Sequence, residues 1–339
     1  MAEIGSNMFA LGNVQAKMHC LFETRVVEEP SKKRNYQPYR VEATDRLRQT
    51  AVDADVKNAL ASEKLDGTCV HVREYEGKPW LWARLDRKPN KVAERKFKKY
   101  QGSRNGWIVG GRNGPEPLFD WDVGKDFKDV PCTWIPASGV EVIDGLPQPD
   151  KNGHIPGWVP IDPKSRQHLW HLTSVDLCAS IGLCLQTQPD NKDMLEIVLK
   201  PLKDLDGATL ELIGTHINGN PYQIGSKQQP VHVLVRHGSI PFESEPPLEY
   251  DALKKWFESD AFGQVEGIVW HCPEGQLFKV HRHHVKLTWP IEMPTLSKRP
   301  VTVNVDTAQY EDVENMTLAS LHDISPQTFS NLSDVTYMN

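Results

Sequence analysis

The chain has 339 residues, 39% of them hydrophobic, which is enough to bury a core in one large domain or two modest ones. Its formal net charge of −6 comes from residues 301–339, which contain six acids and no Lys or Arg. Residues 1–300 therefore hold 39 of the 45 acids against 39 bases. The acidic total does not exclude a nucleic-acid partner.

Membrane and disulfide-framework classes are not indicated. The sequence has no apolar run of 18 residues, and its first residues lack the charged-then-apolar order of a signal peptide. The six cysteines are scattered without CxxC pairs. These features predict a soluble protein of the cytosol, the nucleus or both, with reduced thiols.

The first predicted elements form a hairpin. Residues 1–50 show no clear periodicity and are expected to be an irregular lead-in that packs onto the domain. Aromatic and β-branched residues then predict strands over 68–75 and 78–84, joined by a turn at Glu76-Gly77.

A basic segment follows the hairpin, with nine bases and two acids in residues 84–104. Residues 91–100 have the period of a short helix with Val92, Ala93 and Phe97 on its apolar side. A polyanion can dock on such a segment through its phosphates. The alternative is a solvated helix face. The candidate RNA-binding side chains are Arg87, Lys88, Lys91, Arg95 and Lys98.

The rest of the chain predicts an α+β domain over residues 1–300 with mainly antiparallel strands. Residues 101–165 are rich in Gly, Pro, Asn and Trp and are expected to be an irregular insertion. A helix is predicted over 248–259, with Leu248, Leu253, Trp256 and Phe257 on one face. The acidic tail, 301–339, is either docked or partly disordered. Short strands are predicted over 195–199, 209–214, 232–235, 267–271 and 277–281.

Lys64-Leu-Asp66-Gly67 is the first candidate for chemistry. It places a lysine on a turn, an acid two residues later, and a glycine that can adopt a positive φ. By average composition this pattern arises by chance in roughly one chain in ten of this length. The alternative is a surface turn entering a strand.

Two further candidates follow in the chain. Arg84 ends the strand that folds back over Lys64, so it would face a phosphate near the lysine. Glu211 is an acid within an apolar strand, and a buried carboxylate needs a partner. That partner is either a ligand hydroxyl or a neighbouring Lys or backbone amide.

The last candidates lie on a second hairpin. If Glu274-Gly275 is a two-residue turn, Trp270 lies opposite Lys279, and alternation puts Glu266 and Lys279 on one face. An acid and a lysine in one pocket suit a metal-bound phosphate. An ordinary cross-strand ion pair is the alternative.

The order of these segments resembles the five collinear motifs of the covalent lysine nucleotidyltransferases, the ATP-dependent ligases and mRNA capping enzymes. Residues 211–222 are similar to the RNA-ligase branch in particular. Residues from about 11 to 300, with WARLDRKPNK, NGHIPGWVP and EGIVWHC, resemble the metazoan 5′-to-3′ RNA ligases of the RNA ligase 1 family.

The resemblance implies a role for each motif residue. Lys64 would attack the α-phosphorus of ATP, and Asp66 would orient the lysine or take its proton. Lys279 would neutralise the α-phosphate, so these three residues are the expected catalytic ones. Nucleotide binding would involve Lys64, Lys279, Arg84 on phosphate, Glu211 on a ribose hydroxyl, and Glu266, which would also bind the metal.

The implied protein is a monomeric α+β nucleotidyltransferase domain, related to ATP-grasp-like ligase domains, that uses ATP with Mg²⁺ or Mn²⁺. It would join RNA 5′-phosphate and 3′-hydroxyl ends through lysyl-AMP and AMP-RNA. The alternatives are a capping-type guanylyltransferase and a non-catalytic RNA-end-binding protein with the same fold. The sequence departs from the family at the final motif, which usually has Lys or Arg two residues after the first lysine. Here His281 and Arg282 follow, and the short remainder predicts no C-terminal OB-fold.

Overall fold

A computed structural model describes residues 11–30 and 39–335, which fold as two compact units. The first unit contains the described residues of 11–14, 18–81 and 161–335, and the second contains residues 15–17 and 82–160. The predicted motif residues other than Arg84 lie in the first unit.

Strands outnumber helices in the part of the chain that the structure describes. The strands of the described residues are His19–Cys20 (β1), Phe22–Val27 (β2), Arg40–Leu47 (β3), Leu60–Lys64 (β4), Thr68–Tyr75 (β5), Lys78–Arg84 (β6), Ile135–Pro136 (β7), Val142–Ile143 (β8), Leu146–Pro147 (β9), Gly157–Pro160 (β10), Val175–Asp176 (β11), Ile181–Thr187 (β12), Leu195–Pro201 (β13), Thr209–Gly214 (β14), His232–Arg236 (β15), Gly267–His271 (β16), Leu277–His281 (β17), Val301–Asn304 (β18) and Gln327–Phe329 (β19). The α-helices are Gln49–Asp53 (α1), Lys91–Val109 (α2), Leu169–Leu172 (α3), Tyr250–Phe257 (α4) and Met316–His322 (α5).

Two sheets organise the first unit. The larger has the order β19-β18-β13-β12-β15-β14-β5-β6, and the smaller has the order β1-β17-β16-β4. Neighbouring strands are antiparallel except where β1 meets β17, β12 meets β15 and β13 meets β18. The predicted α+β class with mainly antiparallel strands is confirmed.

The hairpin of β5 and β6 has the predicted bounds. Glu76 and Gly77 adopt φ values of 52° and 80°, as the two central residues of a type I′ turn require. The described part of residues 1–50 differs from the prediction, because it contains the strands β1, β2 and β3. Leu21 and Phe22 are fully buried, so this segment packs onto the domain as expected.

The tail docks onto the first unit, which was one of its two predicted alternatives. Strand β18 pairs in parallel with β13, and Val301, Val303 and Val305 are buried. Asp176 then accepts hydrogen bonds from the backbone N–H groups of Glu314 and Asn315, just before α5. The acidic composition of residues 301–335 therefore coexists with an ordered, partly buried path.

Helix α2 belongs to the second unit and is longer than predicted. The Asn90 side chain caps it by accepting from the N–H groups of residues 92 and 93, and the helix continues to Val109. Phe97 is buried within an aromatic cluster, whereas Val92 is 63% exposed and does not lie on the packed side as predicted. The chain after Val109 is largely irregular, as the turn signals indicated.

Helix α4 packs on the smaller sheet of the first unit. The Glu249 carboxylate caps its first turn, and Leu253, Trp256 and Phe257 are buried as predicted. Among the described residues, no helix combines the length and the apolar character needed to cross a bilayer.

Candidate functional site

Lys64 occupies the last position of β4. In the smaller sheet it lies opposite Gly267 of β16, while Ser62 lies opposite Val269. The Lys64 Nζ atom donates a hydrogen bond of 2.6 Å to Oε2 of Glu266, the residue just before β16. Both side chains are largely buried, with 19% and 15% of their surface exposed. The structure therefore brings the first and fourth motifs into contact.

Three carboxylates surround this single ammonium group. Burial alone would lower the pKa of Lys64, but Glu266, Glu211 and Asp66 together raise it above its ordinary value. Burial also raises the pKa of Glu266, an effect that Lys64 opposes. In the absence of other ligands, Lys64 is a protonated cation inside an anionic cluster.

The turn after Lys64 is fixed by Asp66. Its carboxylate accepts hydrogen bonds from the Asn218 side-chain amide and the Trp289 indole, both at 2.8 Å. Its backbone N–H donates to the Tyr222 hydroxyl at 2.8 Å. Two distant segments, residues 218–222 and Trp289, thus hold the residue two positions after Lys64. Asn218, Tyr222 and Trp289 were not among the predicted site residues.

Gly67 is required by a close backbone approach and not, as predicted, by a positive φ. Its N–H donates to Oε1 of Glu211 at 3.0 Å. A Cβ atom at this position would lie 2.3 Å from the carbonyl oxygen of Leu212. Strand β14 therefore leaves no space for any side chain here.

Gly67→Ala is expected to destabilise the protein by about 1–3 kcal/mol, because the backbone must shift to relieve the clash. The measurement is the midpoint of urea unfolding. Gly102→Ala is the matched control, since nothing lies near its Cβ and alanine favours the helical position. Equal midpoints for Gly67→Ala and the wild type would show that the backbone at Gly67 can move away from β14 at no cost in stability.

Glu211 of β14 has both carboxylate oxygens engaged. Oε1 accepts from Gly67, and Oε2 lies 3.0 Å from Nε2 of His237, a residue that was not predicted to belong to the site. His237 Nδ1 lies 2.8 Å from the Thr209 hydroxyl. Among the partners predicted for the Glu211 carboxylate, the structure contains a backbone amide, that of Gly67. The sequence could not indicate His237, because its contact depends on the pairing of β14 with β15.

A pocket of about 500 Å³ opens beside Lys64. Its walls come from β4, β15 and β16 and from segments next to them, and they combine apolar side chains with Ser62, Glu211, His237 and His271. Burial lowers the pKa of His271 to about 4, so its ring is neutral at physiological pH. Its Nδ1 accepts from the backbone of Gly12, which leaves Nε2–H to donate to the Ser62 hydroxyl at 3.0 Å.

Glu63 precedes Lys64 but does not join the anionic cluster. Burial raises its pKa to about 8, despite the opposing charge of Arg299, so Glu63 is protonated at neutral pH. Its Oε1 is buried without a hydrogen-bond partner in the described part of the chain. A neutral carboxyl therefore lies next to the charged lysine.

The register predicted for the second hairpin is wrong. The Cys272 N–H bonds to the Gln276 carbonyl, so three residues form the loop and Gly275 has φ of 88°. Lys279 consequently lies opposite Val269 and not Trp270. Alternation then places Lys279 on the same face of the smaller sheet as Ser62 and Lys64. Glu266 reaches the site from just beyond the strand end.

The structure separates the two candidates for the basic residue of the final motif. Arg282 is buried and donates to the carbonyl oxygens of Phe257, Gly263 and Thr288, which is a structural role. His281 lies opposite Gly267, whose other neighbour is Lys64. His281 is therefore the residue on the face that carries Lys64.

Arg84 and the candidate RNA-binding residues lie in the second unit. Arg84 donates to Asp86 and to the Gln15 carbonyl, and its guanidinium lies 4.8 Å from the ring centroid of Trp158. Arg87 donates to the Lys128 carbonyl. On the surface, Lys98 forms an ion pair with Glu94. Lys88, Lys91 and Arg95 are exposed as well.

An α+β domain with a lysine held among carboxylates at the end of a strand is the arrangement expected of a covalent nucleotidyltransferase. Comparison with known proteins gives the family. A sequence model described as RNA ligase 1 matches residues 8–338. Proteins named RNA ligase 1 from Rattus norvegicus and Danio rerio are 47% and 45% identical, each over 97% of this chain and 99% of the relative. The one from Mus musculus is 49% identical over 88% of this chain and 89% of its own length. The chain belongs to the RNA ligase 1 family.

Proposed function

We propose that the protein is an ATP-dependent RNA ligase that joins a 5′-phosphate to a 3′-hydroxyl. The observation that carries this proposal is Lys64, which lines a pocket and contacts Glu266 at 2.6 Å. The three relatives are named RNA ligase 1, and the five motif segments resemble, in their order, those of the covalent lysine nucleotidyltransferases. Both facts support the same chemistry.

In the first step, Nζ of Lys64 attacks the α-phosphorus of ATP, a P–N bond forms and pyrophosphate leaves. The AMP then passes to the 5′-phosphate of RNA and frees the lysine. In the third step a 3′-hydroxyl attacks that phosphate and AMP is released. Lys64 is the nucleophile of the first step and the leaving group of the second.

Lys64 must lose a proton before it attacks, and its surroundings oppose this loss. Glu266 is the strongest of the carboxylates that raise its pKa. Neutralising or displacing the Glu266 carboxylate lowers the pKa of Lys64 and so increases the fraction of neutral amine. The Glu266 contact thus couples the charge state of the pocket to the reactivity of the lysine.

The donor set fits Mg²⁺ or Mn²⁺. Three carboxylates around one ammonium group leave the cluster formally at −2, and carboxylate oxygens are the donors that these cations prefer. When bound, the cation neutralises triphosphate charge and assists the departure of pyrophosphate. In this proposal Glu266 is its protein ligand.

Other residues position the nucleotide. Glu211 accepts a hydrogen bond from a ribose hydroxyl, and Asp66 orients the Lys64 turn through its three contacts. Lys279 and His281, on the face that carries Lys64, stabilise charge that develops on the phosphates. Arg84 contacts nucleotide or RNA phosphate.

Labelling with nucleotides tests this function. With Mg²⁺ and ATP radiolabelled at the α-phosphate, the denatured protein is expected to retain label, and with GTP labelled in the same position it is not. Label from GTP would indicate the capping-type alternative. Absence of label from either nucleotide would favour a non-catalytic RNA-end-binding protein.

RNA is proposed to dock along helix α2. Reversing charge at Lys91, Arg95 and Lys98 should weaken RNA sealing and lower the salt slope by about one for each phosphate that these side chains no longer neutralise. Self-adenylation from ATP should stay unchanged, because it involves no RNA. The control carries the same charge change at exposed Lys57, Lys203 and Lys227. A salt slope equal to that of the wild type would make α2 a solvated face.

A further inference from the structure

Near Lys64, a thiol, a carboxylate and an imidazole side chain lie close to one another. The Sγ of Cys69, a carboxylate oxygen of Glu211 and a ring nitrogen of His237 all lie within 4.8 Å of one another. We infer that they form a binding site for a thiophilic divalent cation, with Zn²⁺ as the natural candidate. This site is distinct in its donors from the carboxylate cluster around Lys64.

Strand pairing brings these residues together. Cys69 of β5 and Glu211 of β14 are direct partners across the antiparallel pair, and β15 lies on the other side of β14. His237 follows the end of β15, and its Nε2 lies 3.0 Å from Oε2 of Glu211. The arrangement is therefore built on three adjacent strands of one sheet.

The donors match zinc in kind and in spacing. Thiolate, imidazole and carboxylate are its usual protein ligands, at bond lengths of about 2.0–2.3 Å, so the ligand atoms of a tetrahedral site lie roughly 3.5 Å apart. Two of the three atoms are already 3.0 Å apart, and a small movement of Cys69 completes the set. Three protein ligands leave the fourth position open.

Neighbouring groups already hold two of the ligands. Glu211 keeps its Gly67 hydrogen bond on Oε1 while Oε2 faces His237. His237 Nδ1 is 2.8 Å from the Thr209 hydroxyl, which can accept a hydrogen bond from Nδ1–H when Nε2 binds the cation. Such partners fix the tautomer and orientation of a metal-binding imidazole. Binding also displaces the Cys69 thiol proton to solvent.

Occupancy of the site has a consequence that rests on the proposed function. The cation takes Oε2 of Glu211, the side chain assigned to the ribose. Zinc is therefore expected to inhibit self-adenylation in competition with ATP, while Mg²⁺, which binds thiolate poorly, does not occupy the site.

Cobalt substitution tests the site without relying on activity. Titrating the full chain with Co²⁺ should produce tetrahedral visible bands and a near-ultraviolet thiolate charge-transfer band, and Zn²⁺ should bleach both. Cys69→Ser should lose the thiolate band and bind Zn²⁺ about 100-fold more weakly. Cys132→Ser is the matched control, since Cys132 is exposed and lies in the second unit, and it should keep the band. A wild-type spectrum without a band that depends on Cys69 overturns the proposal.

Inhibition is measured separately, with Mg²⁺ and ATP present. Zn²⁺ at the concentration that displaces Co²⁺ should remove most of the AMP labelling of the wild type and leave the labelling of Cys69→Ser largely intact. Equal inhibition of both proteins overturns the regulatory consequence. If the wild type forms no AMP adduct with Mg²⁺ alone, the proposed function fails, whereas the cobalt spectrum still decides whether the metal site exists.

Discussion

Lys64→Ala is expected to form no covalent AMP adduct from ATP, yet to seal RNA that already carries a 5′-adenylate. Lys64 is the attacking group of the first step and the leaving group of the second, so its removal stops both. The third step joins a 3′-hydroxyl to an adenylated phosphate and uses no lysine nucleophile. Glu266 and Lys279 remain available to stabilise its developing charge.

The measurement compares labelling by ATP with sealing of pre-adenylated RNA. Because alanine leaves the three carboxylates without their cation, Lys64→Arg is a useful second variant. Arginine keeps the positive charge but cannot lose a proton to become a nucleophile. Lys57→Ala, at an exposed lysine of the first unit, is the matched control and should form the adduct normally. An AMP adduct on Lys64→Ala would place the nucleophile elsewhere.

The sequence predicted those parts of the fold that depend on local pattern. The strands 68–75, 78–84, 209–214, 267–271 and 277–281 match the structure, because each combines apolar or β-branched residues with clear turn signals. The contact between Lys64 and Glu266 could be expected only from the motif order. Their separation of 202 residues gives no local signal.

Other parts of the site depend on how distant strands pair, which local pattern does not specify. The predicted hairpin register was off by one because Pro273 joins the loop, and a shift of one residue moves a side chain to the other face. The function of Gly67 could not be deduced, since its neighbour on β14 is unknown until the sheet forms. The same reason explains why His237 was not identified.

Strands β2 and β3 were missed for a different reason. Four of the six residues of β2 are exposed, Val26 among them, and only Phe22 at its start is buried, so no apolar alternation marks the strand. Helix α2 was cut short in the prediction because Gly102 and Gly106 resemble stop signals. In the structure both glycines occupy helical positions with open space around them.

Glu266→Ala is expected to reduce AMP labelling by about 100-fold or more, the scale on which loss of one group that stabilises developing charge acts. In contrast to Lys64→Ala, it should also slow the sealing of pre-adenylated RNA, because phosphate charge develops in both reactions. The measurement is the rate of each step at several Mg²⁺ concentrations. Glu274→Ala, at an exposed acid in the loop of the same hairpin, should behave like the wild type.

Glu266→Gln separates charge from shape at this position and adds a pH readout. Glu266 raises the pKa of Lys64, so replacing its carboxylate by an amide lowers that pKa. The neutral amine then becomes available at lower pH, and the rise of any residual adenylation rate with pH should move to lower pH. A profile that does not move, or labelling of Glu266→Ala at the wild-type rate, would show that Glu266 governs neither the lysine nor the metal. The proton of Lys64 would then have to pass to Asp66 or Glu211, the other carboxylates whose charge acts on the lysine.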